Sequence, residues 1–314
     1  MAPRERVLRG LARMAAPLIR LALKTLPGAG PRRRLWRWAE RHVNWRGAEC
    51  PARTRFGARM RSRLDDLVEH AIYYFGCWEP NLTAVITGSL RPGDVFVDAG
   101  ANAGYFSLLA AHLGAEVVAI EAAPPIAARL RANLARNPQL ARRIRVVEAA
   151  LAPEPGELEL YLAPDSNRGA TTTSAARARE GGYAETATVP ALPLSRILSP
   201  DERARLAFLK LDIEGADIPV LARLMQDDPD LLRRITTAAE LSLDGLAAAG
   251  LDLAGLRAGL EALGLEILLL ENRYDFIDLL ERRPPKPPKP LDSWPDGKRQ
   301  IDILIRPLKA GAQA

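Results

Sequence analysis

The stretch Val95-Phe-Val-Asp98-Ala-Gly100-Ala-Asn102-Ala-Gly104-Tyr105-Phe-Ser107 decides the fold. Its first three residues are apolar, two of them β-branched, and they follow the breaker Pro92-Gly93. That is the pattern of a short buried strand. The strand ends on a carboxylate, Asp98, and small residues follow. Gly100 and Gly104 let the backbone turn tightly and lie close to a ligand. From Tyr105 to Leu113 the residues are again apolar and predict a helix whose first N–H groups face the loop. Strand, glycine loop and helix in this order form the turn with which α/β folds hold a nucleoside. A tight turn without a ligand is the alternative.

The loop's details select among ligands. A dinucleotide fingerprint needs G-x-G-x-x-G, so that amides cradle a pyrophosphate. Here the spacing is D-x-G-x-x-x-G, with Asn102 where the middle glycine would stand. No Gly-Lys-Ser/Thr follows, which excludes a P-loop. An acid at the strand end disfavours a phosphate and suits an ammonium group. S-adenosylmethionine carries an ammonium and a sulfonium and no phosphate. The segment Glu116 to Ile120 predicts a second strand ending at Glu121, an acid placed to accept both ribose hydroxyls. Dehydrogenases share that acid, and a cap for the helix near Pro124-Pro125 is its other reading. Asp98, Gly100, Asn102, Gly104, Tyr105 and Glu121 are therefore the candidate cofactor residues, with S-adenosylmethionine the candidate cofactor.

A third strand ends in charge at Leu206-Ala-Phe-Leu-Lys210-Leu-Asp212-Ile-Glu214-Gly215-Ala-Asp217. Lys210, Asp212 and Glu214 alternate, so an extended backbone puts them on one side. Charges along a fully buried strand are costly, which places them at its C-terminal mouth, where open α/β sheets bind ligands. A structural ion-pair set at a strand end is the competing reading. As chemistry, Asp212 or Glu214 could take a proton, and Lys210 could orient an acceptor or tune them. His70 is the next candidate base. A metal held by Asp212 and another acid is compatible with these oxygens but not demanded.

Taken together, VFVDAGANAGYFS, VVAIEA and FLKLDIEGAD resemble the FkbM family of S-adenosylmethionine-dependent methyltransferases. The resemblance covers residues 73–270 and begins at Tyr73-Tyr-Phe-Gly76-Cys-Trp78-Glu79-Pro80, which is similar to the family's aromatic-Gly-x-aromatic-Glu-Pro lead-in. Two departures are Ala122-Ala123-Pro124, where the family more often has proline directly after the acid, and Ala152-Pro153-Glu154, where an aspartate usually precedes the next glycine. The resemblance implies a class I methyltransferase fold, a doubly wound, mostly parallel seven-stranded sheet. It also implies methyl transfer to a hydroxyl on a glycan, glycolipid or small natural product.

Composition and rhythm agree with an α/β chain. At 314 residues with 48% hydrophobic content the chain can bury one large core. Cys50 and Cys77 are too few for a disulfide framework. With three scattered histidines they show no metal-ligand spacing, so no metal site is expected. Strands are predicted near 95–98, 116–120, 144–148, 206–211, 235–241, 265–270 and 300–305, and helices near 104–113, 124–137, 216–226 and 252–263. Asn133 and Asn137 read as caps of the second helix. Gly156 to Leu162 reads as an added hairpin strand, with Thr188 to Leu192 its partner. Residues 164–185, rich in small residues and arginine, fit either a loop beside the active site or a surface insertion. Residues 282–295 hold six prolines among lysines and predict an extended crossing between the last two strands.

The N-terminus differs in charge. Residues 1–63 hold 17 Lys or Arg against three acids, whereas the whole chain is +6. The expected division is a helical, basic, amphipathic extension over 1–63 and a methyltransferase domain over 64–314. At 100° per residue, Arg6, Arg9, Arg13, Arg20 and Lys24 fall within about 60° of one another, opposite Val7, Leu8, Leu11, Met14, Leu18 and Ile19. Pro17 is expected to kink or divide this helix. The pattern fits residues 4–26 lying on an anionic membrane, which would put the enzyme in the cytoplasm at the inner face of the membrane; a helix packed on the core fits equally. The cationic interruptions exclude a spanning helix, and no cleavable signal is visible. Trp36 and Trp38 among arginines suit a lipid interface better than nucleic acid. The rival function is a non-catalytic membrane- or RNA-associated adaptor that keeps the fold; an NAD-dependent enzyme is disfavoured by the glycine spacing.

Overall fold

The computed structural model describes residues 3–163, 171, 175–183, 185–213 and 215–308, and the chain divides into two compact units. Among the described residues, the first unit comprises 3–80 and 273–285. It opens with two helices, α1 (Pro3–Thr25) and α2 (Ala29–His42). Gly28, at φ 74°, takes the left-handed turn between them. α1 continues through Pro17 rather than dividing there. Arg13 and Pro17 are both exposed, so water can solvate the Arg13 carbonyl that loses its N–H donor. The apolar residues of α1 do not share one face. Ala12, Ala16, Ile19 and Leu23 are buried, whereas Val7, Leu11, Met14, Leu18 and Leu21 are exposed. Ile19 thus belongs to the packed seam, apart from the exposed Val7, Leu11, Met14 and Leu18 with which the helical wheel groups it.

The N-terminal extension is helical only in part. β1 (Glu49–Arg53) and β2 (Arg59–Arg63) form an antiparallel hairpin in which Cys50 faces Ser62 and Ala52 faces Met60. Arg59, Arg61 and Arg63 alternate with buried Met60 and Ser62, a period of two that the charge conceals. α3 (Leu67–Phe75) follows. It is capped by the Asp66 carboxylate, which accepts from the Glu69 N–H, and it stops at Gly76 in the left-handed region. An aromatic cluster is built from these elements. The Trp36 ring lies 5.2 Å from both His70 and Tyr74, and 5.5 Å from Phe276.

The second unit takes the remaining described residues and contains α4 (Pro80–Ser89) from Asn81 onward. Its main sheet is built from β3 (Val95–Ala99), β4 (Glu116–Ile120), β5 (Ile144–Val147), β9 (Leu206–Leu211), β10 (Thr236–Ser242), β11 (Leu265–Leu270), β12 (Lys289–Pro290) and β13 (Gln300–Pro307). The order across the sheet is β12-β11-β13-β10-β9-β3-β4-β5. All seven expected strands are present, and β12 adds an eighth, a two-residue edge strand in the proline-rich crossing. Neighbours from β10 to β5 run parallel, and β13 lies antiparallel between β10 and β11. Every residue of β3 is buried, as expected of a central parallel strand covered on both faces. The core on one face gathers Val95, Val97, Leu209, Leu211, Leu221 and Ile303. A separate three-stranded sheet is formed by β6 (Ala150–Leu151), β8 (Glu185–Leu192) and β7 (Gly156–Leu162) in that order, so the added hairpin is present with a longer partner strand than expected. Of residues 164–185, those from 164 to 170, 172 to 174 and 184 lie outside the described residues; Ala175–Gly181 is a short helix.

β3 has β4 on one side and β9 on the other. The chain therefore leaves β3 in one direction and returns in the opposite one. That reversal opens a crevice at the C-terminal ends of β3, β4 and β9.

Candidate active site

The crevice is floored by the loop after β3. Gly100, at φ 73°, passes so close to β9 that a Cβ there would overlap the backbone carbonyl oxygen of Asp212. Gly104, at φ 93°, starts α5 (Tyr105–His112). Asn102 takes φ 50°, a left-handed conformation that asparagine tolerates better than most residues. Its N–H donates to Glu121 Oε2 at 2.9 Å, and the Ala123 N–H donates to Glu121 Oε1 at 3.0 Å. Each carboxylate oxygen keeps a further lone pair for a ribose hydroxyl. Burial pushes the Glu121 carboxyl up to about 7, against the pull of these two amides.

Asp98 is wholly buried. Its Oδ2 accepts from Ser107 Oγ at 2.6 Å, and its Oδ1 lies 3.4 Å from Lys210 Nζ. Burial pushes its pKa up, and the charge of Lys210 works against that shift. The sequence places Asp98 against the ammonium of a cofactor; in the structure its carboxylate is engaged by Lys210 and Ser107. Lys210 is buried too. Its Nζ lies 3.1 Å from Asp212 Oδ2, donates to the carbonyls of Ala99 and Gly100 at 3.4 and 3.3 Å, and sits 5.5 Å from the centre of the Phe106 ring. Asp98 and Lys210 face each other in the β3–β9 register, so the sheet itself makes this pair. Asp212 stands just past β9 with its side chain 45% exposed, at the mouth where an acceptor could reach it. Glu214 lies outside the described residues.

Tyr105 is buried, its hydroxyl 3.3 Å from Thr83 Oγ1 on α4. His70 is buried in the first unit's aromatic cluster, its Nδ1 2.5 Å from the Leu64 carbonyl. Three residues support the site without having been singled out for it. Ser107 holds Asp98. Asn133, on α6 (Pro124–Leu134), donates from Nδ2 to the Ala103 carbonyl at 2.9 Å and so ties α6 to the loop after β3. Asn137 does act as a cap, donating to the Asn133 carbonyl at 2.8 Å. Asp217 is buried at the start of the helix Asp217–Asp227, where its carboxylate accepts from the N–H groups of Ile213, Gly215 and Glu240, each at 3.4 Å. Burial, reinforced by the charge of Asp212, pushes its carboxyl up to about 6. The acid is visible in the sequence, but its bonds to amides of a loop and a neighbouring strand are not.

Sheet order, switch-point crevice and a buried acid after the second strand define a class I methyltransferase fold. Residues 98–247 match the sequence model of the methyltransferase FkbM domain. A curated relative, the 31-O-demethyl-FK506 methyltransferase FkbM of Streptomyces tacrolimicus, is 31% identical over 172 residues, which cover 46% of this chain and 65% of that protein. The match thus spans slightly less than two thirds of the relative's length. Among solved structures, the methyltransferase FkbM from Methylobacillus flagellatus KT aligns at TM-score 0.41 and 15% identity, covering 76% of this chain and 54% of that one. TYW2 of M. jannaschii, solved in complex with AdoMet, aligns at TM-score 0.38 and 9% identity over 82% and 84% of the two chains. Over residues 98–247 the chain is thus similar in sequence to FkbM methyltransferase domains.

The residues present fit S-adenosylmethionine as a cofactor. Glu121 offers two acceptor oxygens at the end of β4, and the loop from Gly100 to Gly104 lacks the G-x-G-x-x-G spacing whose amides cradle a pyrophosphate.

Proposed function

We propose that this chain transfers the methyl group of S-adenosylmethionine to a hydroxyl oxygen on a glycan, a glycolipid or a small natural product. The observation that carries the reading is the half-exposed carboxylate of Asp212, held by Lys210 at 3.1 Å, with its own backbone carbonyl packed against Gly100 of the cofactor loop. Acid and cofactor loop thus share one strand-end edge. The relative from Streptomyces is named for acting on an O-demethylated compound, which favours oxygen as the acceptor atom.

When bound, the cofactor supplies an electrophilic methyl group on a sulfonium. The chain's residues do the rest. Glu121 binds the ribose and fixes the cofactor along the crevice. Asp212 accepts the proton of the acceptor hydroxyl as its oxygen attacks, and Lys210 aims that carboxylate. Alignment of the two reactants supplies much of the rate. Glu214, two residues further on, is the second candidate for the base.

Labelled S-adenosylmethionine, offered with lipid and polysaccharide extracts, tests the reading. Label should enter an acceptor through a base-stable ether. Asp212→Asn or Glu214→Gln should lower turnover at least about 100-fold, in line with general-base contributions, while S-adenosylhomocysteine affinity changes little. Full activity in both variants, or label on nitrogen or carbon, would overturn it.

A further inference from the structure

α1 carries an apolar stripe that the fold does not use. Val7, Leu11, Met14, Leu18 and Leu21 are 58–71% exposed. They are five of the ten large hydrophobics exposed among the described residues, and a sixth, Trp38, is on α2. At 100° per residue the five fall within about 80° of one another, roughly 150° from the buried seam of Ala12, Ala16, Ile19 and Leu23. The helix therefore packs through its small residues and turns its large ones outward. Scattered exposed leucines need no explanation; a continuous row of five along a helix does.

The spacing of the row, alternately four and three, would also suit a helix from a second copy. Charge decides against that occupant. Residues 7–42 hold nine Lys or Arg and a single acid, Glu40. Two such hairpins would bring like charges together with no acidic flank to pair them. A polyanion without an apolar phase, such as RNA, would leave the five aliphatic side chains in water. An anionic bilayer answers both features. Arg13 and Lys24, both exposed, lie about 100–120° from the midline of the stripe, the level of the headgroups when the stripe is immersed. On α2, Arg34, Arg37, Trp38, Arg41 and His42 line a shallow concavity in which three arginines surround an exposed indole, a residue type favoured at membrane interfaces. Among the described residues no helix is long and apolar enough to cross a membrane.

We infer that α1 lies in the plane of an anionic lipid bilayer, with the Val7–Leu11–Met14–Leu18–Leu21 row among the acyl chains and the arginine face of α2 binding lipid phosphates. The inference does not depend on the identity of the methyl acceptor. Removing the N-terminus would not test it, because a cut before Thr54 takes away β1 and the Trp36 ring along with α1. Point changes at exposed positions keep the fold, and a thermal melt checks that they do.

The experiment is flotation of the full chain with vesicles of phosphatidylcholine, alone or mixed with phosphatidylglycerol. At low salt the chain should partition at least about 10-fold better onto the anionic vesicles, as several surface cations require. High salt should leave a residue of binding. Leu11→Gln with Leu18→Gln should abolish that residue. Arg34→Gln with Arg37→Gln and Arg41→Gln should reduce low-salt partitioning by roughly 100-fold, about fivefold per cation. Absence of binding to anionic vesicles at low salt would overturn the inference. So would a leucine double variant that binds like the parent, or loss of vesicle binding to competing RNA at high salt. A dimer in sedimentation that the leucine variant dissolves, without vesicle binding by the parent, would assign the stripe to a second copy instead.

Discussion

Replacing Glu121 with glutamine separates what the carboxylate does for the cofactor from what it costs the fold. In the parent, both oxygens accept backbone N–H groups, from Asn102 at 2.9 Å and Ala123 at 3.0 Å. Glutamine has one acceptor oxygen, so its NH2 must face one of these donors, and an unpaired buried N–H costs about 1–3 kcal/mol. Against this, the variant carries no buried charge. Burial holds the Glu121 carboxyl at about 7, compared with an ordinary value of 4.5, a shift that costs the ionised protein about 3 kcal/mol. Between those two pH values the folded chain keeps a proton that the unfolded chain has released. Stability therefore falls as pH rises from roughly 4.5 to 7 and levels off above. The variant lacks this contribution, so it should be about as stable as the parent at pH 8 and about 1–3 kcal/mol less stable near pH 4.5. Asp217, held up at about 6, adds a slope of the same sign in both proteins and cancels in the comparison. Ribose hydroxyls favour the ionised acid, so S-adenosylhomocysteine should bind the parent more tightly as pH rises through 7. At pH 8 the variant should bind about 1–3 kcal/mol more weakly through its lost charge-assisted bonds, with a flat pH profile. Urea unfolding at the two pH values and calorimetry across the range supply the measurements. Parallel pH profiles for parent and variant, or unchanged affinity at pH 8, would refute the reasoning.

Other expectations follow from single contacts. Gly100→Ala combines a left-handed φ with overlap on the Asp212 carbonyl, so thermal melts should show a loss of more than about 2 kcal/mol together with loss of cofactor binding. Lys210→Met leaves Asp98 buried beside no cation; urea unfolding should report a loss of about 3–5 kcal/mol, part of which returns when Asp98→Asn is added. Asn133→Ala removes the donor to the Ala103 carbonyl and should cost about 1–3 kcal/mol in denaturant, with weaker S-adenosylhomocysteine binding as its second readout.

The parallel core of the sheet was legible because buried strands announce themselves as uninterrupted apolar runs, as at Val95–Ala99 and Leu206–Leu211. Glu121 was legible for a related reason, since an acid directly after such a run stands at a strand end. The hairpin at residues 49–63 was hidden because its outward residues are arginines, and charge density masked the alternation. β12 was hidden because two residues, one of them proline, carry no period. The apolar residues of α1 could be counted on a helical wheel, but not divided between a packed seam and an exposed row, because burial depends on the partner. Asp98 shows the same limit. Its position at a strand end follows from the sequence, whereas its pairing with Lys210 depends on which strand lies beside β3.

That pairing bears on the order in which the protein assembles. Lys210 donates to the carbonyl of a residue 110 positions earlier in the chain. A polypeptide emerging from the ribosome presents β3, the glycine loop, α5 and β4 long before β9 exists. During that interval Asp98 lacks its cation, and Gly100 lacks the carbonyl against which it turns. Local signals can start the loop, but they cannot hold a carboxylate in an apolar interior. The cofactor pocket is thus a late product of folding, closed by a long-range contact whose entropic cost comes before its reward. Cofactor binding then reports that β9 has docked beside β3.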